Sequence, residues 1–164
     1  MCWLYGKTFT YLRLALFEYL LELVDFKYHE LLMFETGYQA ESILLQAFSG
    51  NLEDFLLLVE GAIPYRDREA YLKFLGMPLL DFLLKISEKA ELVIAYGNCA
   101  TQGGIPASSP NPTCAIGLPT LLGPKRVISI YGCPGKSKTL VTLLAYYIPF
   151  EKLPPMDKGG RPII

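Results

Sequence analysis

Cys99 and Cys133 are the residues of this chain best placed by type and spacing to do chemistry. Each follows a glycine that closes an apolar run, ELVIAYGNC over residues 91–99 and RVISIYGCP over residues 126–134. Such runs are what parallel strands buried on both faces look like, and in an open parallel sheet ligands bind beyond the carboxyl ends of the strands. Two thiols delivered to one sheet edge are soft donors suited to a cysteine-ligated metal cluster. An iron–sulfur cubane takes four cysteine ligands, so the pair supplies half of such a set. The plainer reading of the same residues is two buried loop cysteines.

The other two cysteines are less well placed. Positions 2, 99, 114 and 133 contain neither a close pair nor zinc-finger spacing, which argues against a disulfide framework and a structural zinc site. Cys2 lies four residues before the glycine that closes its own run, roughly 13 Å back along a strand, and is expected to be a packed thiol. Cys114 falls in a long loop from which an approach to the site is conceivable.

The elements that must position these thiols repeat along the chain. Short apolar runs closed by glycine occur as CWLYG (2–6), FLLLVEG (55–61), ELVIAYG (91–97) and RVISIYG (126–132). A further strand, LVDFKYH (23–29), is expected at one side, and helical patterns fall over residues 10–23, 36–48, 79–90 and 138–147. Strands alternating with helices predict a layered α/β domain with a mainly parallel sheet and right-handed crossovers. Residues 97–117, GNCATQGGIPASSPNPTCAIG, read as a long functional loop without regular structure. Residues 148–164 are rich in proline and lysine and read as a docking arm or a connection to a further domain, leaving residues 1–147 as the domain proper.

Composition narrows the function class. The 164 residues suit one domain able to bury roughly 70% of its unfolded surface. Apolar residues make up 52% and charged residues 19%, below the roughly 25% usual for a soluble domain, so part of the exterior is expected to lie under another protein. With 15 basic and 16 acidic residues and no basic run, nucleic acid is not an expected partner. The longest apolar stretch, residues 12–24, is interrupted by Arg13, Glu18 and Glu22 and is too short for a transmembrane helix. No signal peptide is legible; the compartment is either cytosolic or set by a leader outside this sequence.

Other polar candidates have modest readings. Glu60, at the mouth of the second run, is expected to bond loop amides or to set the charge near a cluster, and the lone His29 reads as a packing residue rather than a ligand. GCPGKSK (132–138) ends like a phosphate-binding loop, but the motif's leading glycine would fall at Ile130, so nucleotide binding is not expected.

Six segments, in order, resemble the amino-terminal, flavodoxin-like domain of the small subunit of nickel-iron hydrogenases. They are WLYG (3–6), YHELLMFETGYQAE (28–41), LLVEGAIP (57–64), AYGNCATQGGIPASSPNPT (95–113), YGCPGK (131–136) and LPPMDKGGRP (153–162). The resemblance implies a flavodoxin-like three-layer fold and an electron-transfer role in a heterodimer. The partners implied are a catalytic nickel-iron large subunit and an electron carrier. It implies a proximal [4Fe-4S] cluster with Cys99 and Cys133 among its ligands, and Thr101 and Glu60 shaping the hydrogen bonding around it. The family's other two cysteines match Phe9 and Leu12 here, and a carboxylate that often follows them matches Leu14. The chain stops where such subunits continue into a second domain with further cluster ligands. Two other readings stand beside this one: a cluster-free structural or assembly subunit, which Phe9 and Leu12 favour, and a flavin-binding flavodoxin-like protein. The flavin reading is disfavoured because no phosphate loop rich in serine or threonine follows the first strand.

Overall fold

The computed structural model describes residues 19–29, 33–66 and 71–164. The run at residues 2–6, Cys2, Phe9, Leu12 and Leu14 lie outside the described residues, as does most of the helix expected over residues 10–23, of which 19–23 are helical (α1). The remaining helices are α2 (Tyr38–Ser49), α3 (Leu79–Ser87), α4 (Gly97–Gln102), α5 (Leu118–Leu122) and α6 (Ser137–Phe150). The strands are β1 (Leu56–Glu60), β2 (Lys73–Phe74), β3 (Met77–Pro78), β4 (Leu92–Tyr96) and β5 (Ile128–Ile130).

β1, β4 and β5 form a parallel sheet in the order β1-β4-β5, built from three of the glycine-closed runs. All five residues of β4 are buried, which is why its hydrophobicity is continuous rather than alternating. Leu92, Ile94 and Tyr96 face one layer, where they cluster with Ile128, Ile130 and, from α6, Leu140, Leu143 and Leu144. Val93 and Ala95 face the other, with Leu83 of α3, Ala100 of α4 and Leu118 of α5. α2 packs outside α3 through Ala47, Phe82 and Ile86. The result is the layered α/β arrangement that the alternating pattern predicts, in the three-layer, flavodoxin-like form that the resemblance implies.

Three stretches differ from expectation. Residues 24–29 form no strand: the alternation of Val24, Phe26 and Tyr28 is used in side-chain packing, with Tyr28 edge-on to Phe74 and Phe26 edge-on to His29. The loop 97–117 is partly regular, holding α4, a 3-10 turn at Ile105–Ala107 and a bridge between Ile63 and Ile116. Its middle is held by Asn111, whose side chain accepts from the Ala115 amide (2.7 Å) and donates to the Ala115 carbonyl (3.1 Å). The hairpin β2–β3 was not legible as strand; its turn residues Leu75 and Gly76 both have positive φ (51° and 77°), the geometry of a type I′ turn.

Residues 151–164 fold back onto β5. The Ser129 amide donates to the Gly160 carbonyl (2.8 Å), Met156 packs against the α6-side core, and Met156 pairs with Pro162. Among the described residues no helix is long and apolar enough to cross a membrane.

Candidate functional site

Sheet register brings the two thiols together. Glu60 pairs with Tyr96 and Tyr96 with Ile130, so the carboxyl ends of the three strands are level. Cys99 is the third residue after Tyr96 and Cys133 the third after Ile130, so both chains deliver a thiol at the same remove from the sheet edge. One recess receives both. Glu60, Gly61, Tyr96, Gly97, Asn98, Cys99, Gly132, Cys133, Pro134 and Gly135 line it.

Each loop turns because a glycine permits it. Gly97 (φ 87°) lets the chain leave β4 directly into α4, the short helix that carries Cys99. Thr101 donates its hydroxyl to the Gly97 carbonyl (3.0 Å), closing that turn from within. Gly104 packs against the thiol itself, since a Cβ there would lie 2.6 Å from the Cys99 Sγ.

The Cys133 loop is closed by the Lys136 amide donating to the Tyr131 carbonyl (3.3 Å) and by a bridge between Gly132 and Gly135. Gly135 sits on the Tyr96 ring, and the Tyr96 hydroxyl donates to the Gly135 carbonyl (2.7 Å). The two loops are joined by Asn98: its amide donates to the Gly132 carbonyl (2.8 Å), and its side-chain oxygen accepts from the Gly132 amide (2.8 Å). The roles of Asn98 and Tyr96 carry no sequence signal beyond the position of asparagine between glycine and cysteine in YGNC.

Cys99 is half-buried, Cys133 is exposed, and neither they nor Cys114 form a disulfide. Glu60 lies in the recess, as its place at the end of β1 predicts. Cys114 is not among the lining residues; it has φ 49° in the turn held by Asn111. His29 is also elsewhere, against Phe26.

The family described as NADH ubiquinone oxidoreductase, 20 Kd subunit, matches residues 8–147. The chain belongs to that family. Its similarity within the family is to hydrogenase small subunits. It is 41% identical over 149 residues to the periplasmic [NiFe] hydrogenase small subunit 1 of Nitratidesulfovibrio vulgaris, covering 90% of this chain and 47% of that one. It is 35% identical over 142 residues to the hydrogenase-2 small chain of Escherichia coli K12, covering 87% and 38%.

The chain therefore spans half or less of the length of these relatives. Among solved structures, an actinobacterial-type NiFe-hydrogenase from Ralstonia eutropha H16 superposes with a TM-score of 0.73 at 29% identity, covering 82% of this chain and 45% of that one. The Ni-Fe-Se hydrogenase of Desulfomicrobium baculatum shares the fold, with a TM-score of 0.76 at 24% identity, covering 89% and 59%.

The donors fit the chemistry of an iron–sulfur cluster, two thiols at a glycine-lined sheet edge, but not its usual number. Among the described residues no group of three or more histidine, cysteine, aspartate or glutamate side chains is arranged to hold a metal ion. Cys99 and Cys133 supply two thiols to the recess, against the four cysteine ligands such a cluster usually takes.

Proposed function

We propose that this chain is the proximal-cluster domain of a nickel-iron hydrogenase small subunit, passing electrons between a large-subunit active site and a redox partner. The observation that carries the reading is the level delivery of Cys99 and Cys133 to one recess, tied together by Asn98. Cys99 and Cys133 would hold the iron of a [4Fe-4S] cluster, which when bound supplies one-electron transfer.

The chain's own part is to hold its donors still. Asn98 sets the separation of the two loops, Gly104 leaves the Cys99 thiol its space, and Glu60 puts a carboxylate in the same recess. Such surrounding groups orient metal ligands and tune potential. None of them acts here as a general acid or base. A large subunit docked over this edge is consistent with Ile105, 83% exposed in the segment that follows the Cys99 helix.

A second reading, a cluster-free scaffold that keeps the fold and the partner surface, is favoured by Phe9 and Leu12, apolar side chains at the positions that match the family's first cysteine pair. Iron and acid-labile sulfide, measured after anaerobic reconstitution beside a Cys99→Ala/Cys133→Ala double variant, separate the two. The proposal expects about four irons per chain, lost in the variant; iron no higher than the variant's makes the chain a scaffold.

A further inference from the structure

Residues beyond the family match, which ends at residue 147, reach the Cys133 loop from outside. Asp157 organises a tight turn: its carboxylate accepts from the amides of Gly159 (2.8 Å) and Arg161 (2.9 Å) and from the Arg161 Nε (2.5 Å). The turn is fixed to the sheet where the Gly160 carbonyl accepts from the Ser129 amide of β5 (2.8 Å). Contact there is close: a Cβ on Gly160, which has φ 72°, would stand 2.7 Å from the Val127 carbonyl oxygen.

Held this way, the Arg161 guanidinium lies over the ring of Tyr131, 5.2 Å from its centroid. Tyr131 is the base of the Cys133 loop, because its carbonyl receives the Lys136 amide that closes the loop. Asn98 secures this loop from the Cys99 side, and Arg161 secures it at Tyr131.

The geometry points to Arg161, steadied by Asp157, as a positioning residue for the Cys133 loop, acting through the face of Tyr131. That this matters for a metal ligand rests on the function proposed above; the coupling itself does not. An exposed cation over a half-buried aromatic ring contributes at least about 0.5–1 kcal/mol, enough to change the opening of a short loop about two- to fivefold.

The test is hydrogen exchange by mass spectrometry on the full chain without metal, comparing peptides over residues 131–136 and 97–102. Arg161→Gln and Tyr131→Leu are expected to speed exchange in the 131–136 peptide about two- to fivefold and to leave 97–102 unchanged. Tyr131→Phe, which keeps the ring, should exchange like the parent, and Arg161→Lys, which keeps a cation but loses the Nε bond to Asp157, should fall between. Tyr131→Leu gives an independent reading if Arg161→Gln folds poorly. Exchange unchanged in both variants, or raised equally across both peptides, overturns the coupling. Because no iron is present, a failed reconstitution would count against the cluster and not against this device.

Discussion

Asn98 and Gly132 exchange two hydrogen bonds, amide to carbonyl and amide to side-chain oxygen, each 2.8 Å, and so fix the distance between the segments that carry Cys99 and Cys133. Parallel strands cannot be joined by a short turn, so two loops leaving their ends have no covalent reason to stay together. The asparagine side chain supplies the second of the two links.

Asn98→Ala removes the acceptor of the Gly132 amide while leaving the backbone bond in place. The orphaned donor is expected to cost about 1–3 kcal/mol, read as a lower urea midpoint. Asn98→Asp, which retains an oxygen at that position, should recover most of the loss. Equal midpoints for Asn98→Ala and the parent would mean that the Gly132 amide finds water instead.

Gly135 is required by the ring beneath it. A Cβ at this position would stand 2.7–2.8 Å from atoms of the Tyr96 ring, which is 6% exposed and anchored by its hydroxyl to the Gly135 carbonyl (2.7 Å) and to Ser137 (3.1 Å). The ring has nowhere to retreat, so Gly135→Ala should cost about 1–3 kcal/mol by overpacking, measured by thermal or urea unfolding. Gly159→Ala is the control: its nearest neighbour would be the Asp157 carboxylate at 3.4 Å, an ordinary contact, and the change should be nearly neutral.

Ser129 offers the opposite sign. Its side chain lies in β5 at 1% exposure, and its hydroxyl has no hydrogen-bond partner among the described residues. An unsatisfied buried hydroxyl is a standing cost, so Ser129→Ala should raise stability by about 1 kcal/mol. The denaturation midpoint should rise with an unchanged slope. A lower midpoint would place an unseen partner on that oxygen.

What the sequence made legible follows from where the physics is local. Glycines closing the apolar runs at residues 97 and 132 gave the strands, and with them the sheet edge to which Cys99 and Cys133 are delivered. Two of the family segments work in the same way, LLVEGAIP spanning the exit of β1 and AYGNCATQGGIPASSPNPT the exit of β4. Other features depend on contacts across the fold. GNCATQ has too few apolar residues to show helical periodicity, so α4 looked like loop; KFLGMP hid a hairpin because Leu75 is an unusual residue at positive φ. LVDFKYH alternates like a strand but spends that alternation on aromatic packing. Residues 148–164 read as a docking arm or a connection, but where residues 156–162 dock was not legible, because what Gly160 must fit against is Val127.

The Tyr147–Glu91 pair gives the chain a titration outside the site. The Tyr147 hydroxyl donates to the Glu91 carboxylate (2.5 Å), joining α6 to the residue just before β4. That hydrogen bond, then burial and the negative charges of Glu91 and Glu151, push the Tyr147 phenol from 10.0 up to about 12. A folded-state value above the unfolded one means that the bond's contribution is fully present below pH 10 and is lost as pH rises from 10 through 12.

With 11 tyrosines in the chain, the readout must be a difference: phenolate absorbance of the parent minus that of Tyr147→Phe. Its midpoint is expected well above the ordinary tyrosine value of 10.0. Glu91→Gln keeps an acceptor but removes the adjacent charge, and should move the midpoint back toward the ordinary tyrosine value. A parent difference curve that already titrates near 10 would show that the bond does not persist in solution.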